Sequence, residues 1–191
     1  MNIANKLTLS RMVMVPFFIW TLGMHTFNGY ALSLLLFVLA ALTDHFDGIL
    51  ARKYGQVTNL GKFFDPLSDK ILVLSAFIYF IRIDFLAIPS WMLVLIMTRE
   101  FIITGLRSLA AMKGEIVAAL FSGKVKTTIQ MTTIIYILLF LTVRTGFSGS
   151  LPQGVMNVME RLPLWLMSLV TLATIYSGIS YLAQYRRFLR E

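Results

Sequence analysis

Residues 43–70 read TDHFDGILARKYGQVTNLGKFFDPLSDK, and they lie between two apolar runs, residues 30–43 and 71–81. Four of the chain's five aspartates, Asp44, Asp47, Asp65 and Asp69, fall inside this one stretch. Asp44 and Asp47 are three positions apart and Asp65 and Asp69 four, spacings that put each pair on one face of an α-helix about a turn apart. Two facing helices could therefore aim four carboxylates at one point where the apolar runs meet water.

The rest of the chain supplies the helices. Its 191 residues are 58% hydrophobic and only 14% charged, with a mean hydropathy of +0.78, a composition no ordinary soluble domain has. Apolar runs at 12–24, 30–43, 71–81, 85–98, 127–143 and 162–183 predict an all-α integral membrane protein of six transmembrane helices. Several runs are shorter than the roughly 20 residues a bilayer requires, so those helices must continue into polar sequence at one end, and function should be sought there. Residues 1–10 alternate Ile3, Leu7 and Leu9 with polar side chains and suit a short interfacial amphipathic helix. They lack the small-residue cleavage site of a signal peptide. The expected organisation is a single domain over 1–191: the interfacial helix at 1–10, a six-helix bundle over 11–185 and a basic tail at 186–191. No internal repeat, low-complexity segment or Pro/Gly linker divides it.

The net charge of +8, from 17 Lys+Arg against 9 Asp+Glu, would suggest nucleic acid in a soluble protein. Here the bases flank apolar runs, so they speak for topology and anionic lipid and against a nucleic-acid partner. Thirteen bases fall beside the termini and the even-numbered loops, three (Arg82, Arg144, Arg161) on the other side, and Arg99 within a helix. Both termini and the aspartate stretch are therefore expected on the cytoplasmic face. Trp20, Trp91 and Trp165 fall near the span ends as an aromatic belt would have them. The absence of cysteine excludes disulfides, thiolate metal sites and a cysteine nucleophile. No phosphate-binding or dinucleotide glycine loop occurs either.

Four neighbouring carboxylates at a membrane interface need a counter-charge. One source is a solvated network with Arg52, Lys53, Lys62 and Lys70; the other is a divalent cation. Hard oxygen ligands, with only two His in the chain, favour Mg²⁺ or Mn²⁺ over zinc. Gly48 and Gly61 lie among the aspartates, and a residue without a side chain lets a bulky phosphate or nucleotide approach the backbone. Glycine within a helix costs about 1 kcal/mol relative to Ala, so two at these positions call for a reason. Pro66 is acceptable in the first turn of a helix, which puts the expected start of the third span close to Asp65.

Written as a pattern, the stretch is D-x2-D-G-x2-A-R-x8-G-x3-D-x3-D, from Asp44 through Gly48, Ala51, Arg52 and Gly61 to Asp69. This resembles the signature of the CDP-alcohol phosphotransferase family, with all eight fixed positions met; at average residue usage such a string arises by chance at a given start about once in 10¹⁰. The resemblance implies a six-helix membrane enzyme, usually a homodimer, that transfers a phosphatidyl or similar group from a CDP-linked donor to an alcohol and releases CMP. It further implies that Asp44, Asp47 and Asp65 are metal ligands for Mg²⁺ or Mn²⁺, with two ions expected. Asp69 would contribute to that metal site and act as catalytic base. Asp47, Gly48, Arg52 and Gly61 would contact the donor's cytidine and pyrophosphate.

An acceptor must be held as well. Arg99 and Arg107 are eight residues apart in the fourth helix, about 80° apart around its axis, and Lys124 and Lys126 sit where the fifth span begins. Such a group suits a phosphorylated, water-soluble acceptor, because guanidinium groups bind phosphate oxygens bidentately. Alternatively, the lysines are topology charges and Arg99 pairs with Glu100 or another helix. The segments 2–11, 61–70 (GKFFDPLSDK), 99–107 (REFIITGLR) and 123–130 (GKVKTTIQ) resemble a bacterial branch of the family that uses glycerol-3-phosphate with CDP-diacylglycerol. Phe64 and Ser68 depart mildly from that branch, and the last two spans add no diagnostic residue. A bacterial plasma membrane is the location this implies. His45 falls on a variable position of the signature and reads as a bystander; His25 reads as a loop residue. A transferase of the same family with inositol phosphate, phosphatidylglycerol or serine as acceptor is the nearer alternative, and the basic cluster speaks against serine, which has no phosphate; a divalent-cation transporter is the alternative from another class, but it would favour ionisable residues near the bilayer midplane and repeated halves.

Overall fold

The computed structural model describes residues 3–54, 59–112, 118, 120–147 and 152–186, with the backbone alone at 3–9, 11, 44–54, 59–69 and 111. Among these residues the chain is all-helical: α1 (Ile3–Gly23), α2 (Phe27–Tyr54), α3 (Asn59–Ile81), a 3₁₀ turn at Asp84–Leu86, α4 (Ser90–Met112), α5 (Phe121–Phe147) and α6 (Gln153–Gln184). Two of them, α5 with 27 residues and α6 with 32, are each long and apolar enough to cross a membrane. Trp20, Trp91, Trp165, Leu172 and Ile179 are exposed, a surface that suits lipid.

The expectation that short apolar runs extend into polar sequence holds for α2 and α3. The apolar part of α2 is Phe27–Thr43, and the helix continues to Tyr54 through Asp44, Asp47, Gly48 and Arg52. In α3 the apolar part is Lys70–Ile81, while the helix already starts at Asn59. Pro66 therefore lies beyond the first turn, contrary to the expected start near Asp65. α1 runs without a break from Ile3 to Gly23, so the backbone at residues 3–10 is continuous with the helix of the first apolar run; the side chains at 3–9 lie outside the described residues. The run that was expected to begin at 85 is interrupted, because Ala87 takes the left-handed conformation (φ 49°) and closes the 3₁₀ turn by donating its N–H to the Asp84 carbonyl. α4 consequently starts at Ser90 and reaches Met112, carrying both Arg99 and Arg107. At the end of the chain Arg186 is exposed, while Arg187 and Arg190 of the basic tail lie outside the described residues.

The chain divides into two compact units, Met1–Arg82 with Ile134–Met159 and Ile83–Thr133 with Glu160–Glu191. In the first, α1 packs on α2 and on α3, with Phe18, Leu22, Phe37, Phe77 and Phe80 buried. The α1–α2 turn is fixed by polar contacts. Thr26 caps α2 by accepting the Gly29 N–H at 3.1 Å. Ser33 Oγ donates to the Gly29 carbonyl at 2.8 Å and lies 2.7 Å from Thr21 Oγ1 on α1. Tyr79 Oη donates to the Leu22 carbonyl at 2.7 Å and ties α3 to the same turn. His25 is the loop residue expected, with φ 52° and ring nitrogens near Tyr30 and Tyr79. Hydrogen bonds of this kind register apolar helices that hydrophobic burial alone would let slide.

Gly29 is required by this turn. A Cβ there would lie 2.6 Å from the Thr21 carbonyl oxygen and 2.8 Å from Met24 Cβ. Gly29→Ala is expected to destabilise the protein by about 1–3 kcal/mol, the usual cost of forcing extra volume into a packed site. A lowered thermal midpoint in detergent would show it, and an unchanged midpoint would contradict this account of the turn.

Candidate functional site

The helical backbone carries Asp44, Asp47, Gly48 and Arg52 on α2 and Gly61, Asp65 and Asp69 on α3. The two aspartate pairs thus keep, on observed helices, the three- and four-residue spacings that place each pair about a turn apart. The side chains of these seven residues and of His45 lie outside the described residues. Among the described residues no group of three His, Asp or Glu is close enough to hold a metal.

In the second unit the bases come together. α6 turns Met167, Val170, Thr171, Thr174, Ser177, Gly178 and Tyr181 inward, a spacing of three and four residues that forms one buried helical face. Tyr181, with 1% of its surface exposed, is the meeting point. The guanidinium carbons of Arg99 and Arg107 lie 5.5 and 5.4 Å from its ring centroid, within cation–π range. Arg107 Nη2 donates to Tyr181 Oη at 2.9 Å, and the Leu120 N–H donates to the same oxygen at 2.8 Å. Arg99 Nη2 donates to Ser177 Oγ at 2.7 Å, and Nη1 reaches Glu100 Oε1 at 3.3 Å. Arg99 Nε is buried with no hydrogen-bond partner among the described residues.

Space for this arrangement comes from two glycines. A Cβ on Gly178 would lie 2.9 Å from Arg99 Cγ, and one on Gly123 would lie 3.1 Å from Tyr181 Oη. Glu100 also accepts from Lys126 Nζ, and both residues are buried. Of the four expected acceptor-binding bases, the structure therefore brings Arg99 and Arg107 to one tyrosine and sets Lys126 against Glu100. Lys124 is exposed near the start of α5. Both partners foreseen for Arg99, Glu100 and another helix, are used at once. Among the described residues Arg99 and Lys126 share the Glu100 carboxylate, and two cations on one carboxylate leave positive charge in excess, which favours an anion.

The sequence profile of CDP-alcohol phosphatidyltransferases matches residues 1–176. The chain belongs to this family. Among its relatives is the CDP-diacylglycerol–glycerol-3-phosphate 3-phosphatidyltransferase of Bacillus subtilis, 40% identical over 72% of this chain and 77% of the relative. A probable phosphatidylglycerophosphate synthase of Mycobacterium tuberculosis is 38% identical over 96% of this chain and 81% of its own length. A Rickettsia felis CDP-diacylglycerol–glycerol-3-phosphate 3-phosphatidyltransferase is 35% identical over 92% of both chains.

Ser177 and Tyr181, which accept hydrogen bonds from Arg99 and Arg107, and Gly178, which leaves room for Arg99, were not singled out from the sequence. A signal was present. These positions carry small or polar groups at helical spacing near the end of a 32-residue apolar helix, and polar residues inside such a helix need partners.

Proposed function

We propose that the chain transfers the phosphatidyl group of CDP-diacylglycerol to a hydroxyl of glycerol-3-phosphate, giving phosphatidylglycerophosphate and CMP. The observation that carries the acceptor choice is the pair of arginines gathered at Tyr181, because a phosphate needs such a pair and a neutral alcohol does not. The relatives named for this reaction support the same reading.

Asp44, Asp47, Asp65 and Asp69 would hold one or two Mg²⁺ or Mn²⁺ ions; four hard carboxylates at helical spacing, in a chain without cysteine, fit such a group. Bound there, the ions supply charge neutralisation for the transferred phosphoryl oxygens and for CMP. Asp47, Gly48, Arg52 and Gly61 bind the cytidine and pyrophosphate of the donor. Arg99, Arg107 and Lys124 hold the acceptor's phosphate, and Lys126 acts on that group through Glu100. Asp69 takes the proton of the acceptor hydroxyl as its oxygen forms the new P–O bond, and the P–O bond to CMP breaks with its electron pair leaving on CMP. Six helices cross the bacterial plasma membrane with both termini and the reacting groups on the cytoplasmic side, as the thirteen flanking bases favour. The working unit is a homodimer.

Labelled glycerol-3-phosphate tests this reading. With detergent-purified protein, CDP-diacylglycerol and Mg²⁺ or Mn²⁺, label is expected to enter the lipid extract in step with CMP release. A chelator should stop both, and added metal should restore them. Label incorporation that persists in excess chelator would contradict the metal assignment, and CMP release without incorporation would contradict the acceptor.

A further inference from the structure

We infer that Tyr181 is the positioning residue for the arginines that hold the acceptor's phosphate, an inference that rests on the acceptor reading above. Its side chain does three things in one place. The hydroxyl oxygen accepts from Arg107 Nη2 at 2.9 Å and from the Leu120 N–H at 2.8 Å, so it fastens α4 to the segment that leads into α5. The ring lies within 5.5 Å of the guanidinium carbons of Arg99 and Arg107. Finally, its position on α6 sets Ser177 one turn away, where that hydroxyl accepts from Arg99 Nη2 at 2.7 Å.

Holding arginines this way is a functional matter because a free Arg side chain carries about 2 kcal/mol of rotamer entropy, which binding a small phosphorylated alcohol would otherwise have to overcome. Two guanidiniums fixed against one ring are ordered before the ligand arrives. The Tyr181 oxygen accepts both its bonds from N–H groups, so it holds Arg107 Nη2 and the Leu120 backbone at one fixed point. The surroundings are shaped for it: a methyl group at Gly123 would lie 3.1 Å from the hydroxyl oxygen and 3.2 Å from ring atom Cε2.

The test measures both Michaelis constants and kcat for Tyr181→Phe, which keeps the ring and removes the hydroxyl. The expected result is a rise of about tenfold in KM for glycerol-3-phosphate, the scale of one charge-assisted hydrogen bond. KM for CDP-diacylglycerol and kcat should stay within about twofold. Tyr181→Leu, which removes the ring as well, should raise the same KM further. An unchanged KM for glycerol-3-phosphate in Tyr181→Phe overturns the inference, as does a uniform loss affecting both substrates and kcat, which is what a purely structural side chain would produce. If Tyr181→Phe does not fold, Gly123→Ala decides the matter, since its methyl group displaces the tyrosine: the same selective rise in KM supports the inference, and no rise or a uniform loss overturns it. Arg107→Gln separates the two levels of argument. If it too leaves KM for glycerol-3-phosphate unchanged, the acceptor reading fails; if it raises that KM while Tyr181→Phe does not, only the inference about Tyr181 fails.

Discussion

Asp69→Asn is expected to lower kcat by about 10²–10⁴-fold, the usual contribution of a positioned general base, while the protein stays folded and still binds CDP-diacylglycerol. Asparagine keeps the size and much of the hydrogen bonding of aspartate, but its amide cannot take a proton from an attacking hydroxyl. Helix α3 continues through this position, so an isosteric change there leaves the backbone undisturbed. Since Asp69 is also assigned to the metal site, the two roles must be separated. Raising Mg²⁺ or Mn²⁺ should not rescue a variant that lacks the base. Recovery at high metal would assign Asp69 to holding the ion alone, and substantial activity of the variant at the metal concentration that saturates the unaltered protein would overturn the base assignment.

The second large effect concerns stability. Glu100→Gln is expected to destabilise the protein by about 3–5 kcal/mol, the scale of breaking a buried ion pair from one side. Glu100 and Lys126 are 7% and 5% exposed, and the one carboxylate faces both Lys126 and Arg99. Without it, two cations confront each other away from water. Replacing Lys126 by Met in the same protein removes one of the two charges, so the double variant Glu100→Gln/Lys126→Met should recover much of the lost thermal midpoint. Glu100→Gln with an unchanged midpoint, or a double variant no better than the single one, would contradict this account of the cluster.

How far the sequence carried these conclusions differed between the two groups of residues. The helices that carry the aspartates were legible because the information is local: spacings of three and four residues beside two short apolar runs call for helices that extend beyond those runs, and α2 and α3 do continue into polar sequence. Helix ends were less legible. Nothing in the apolar run beginning at residue 85 announces that Ala87 will adopt a left-handed conformation, a choice imposed by the tight 3₁₀ turn. The partners of the arginines were the least legible. Arg107 and Tyr181 are 74 positions apart and Arg99 and Ser177 are 78 apart, so only packing of α4 on α6 reveals them. Lys126 shows the complementary limit: its position among bases suggested phosphate, whereas its burial against Glu100 depends on how α5 is rotated, which charge counting does not register.

The central claim is that this family member uses glycerol-3-phosphate as its acceptor. The most direct measurement is metal-dependent CMP release from CDP-diacylglycerol by the purified protein with glycerol-3-phosphate, serine, inositol phosphate or phosphatidylglycerol in separate reactions. The account predicts release with glycerol-3-phosphate and none with serine, which offers no phosphate to Arg99 and Arg107. Release driven by serine or phosphatidylglycerol, with glycerol-3-phosphate inert, would contradict it.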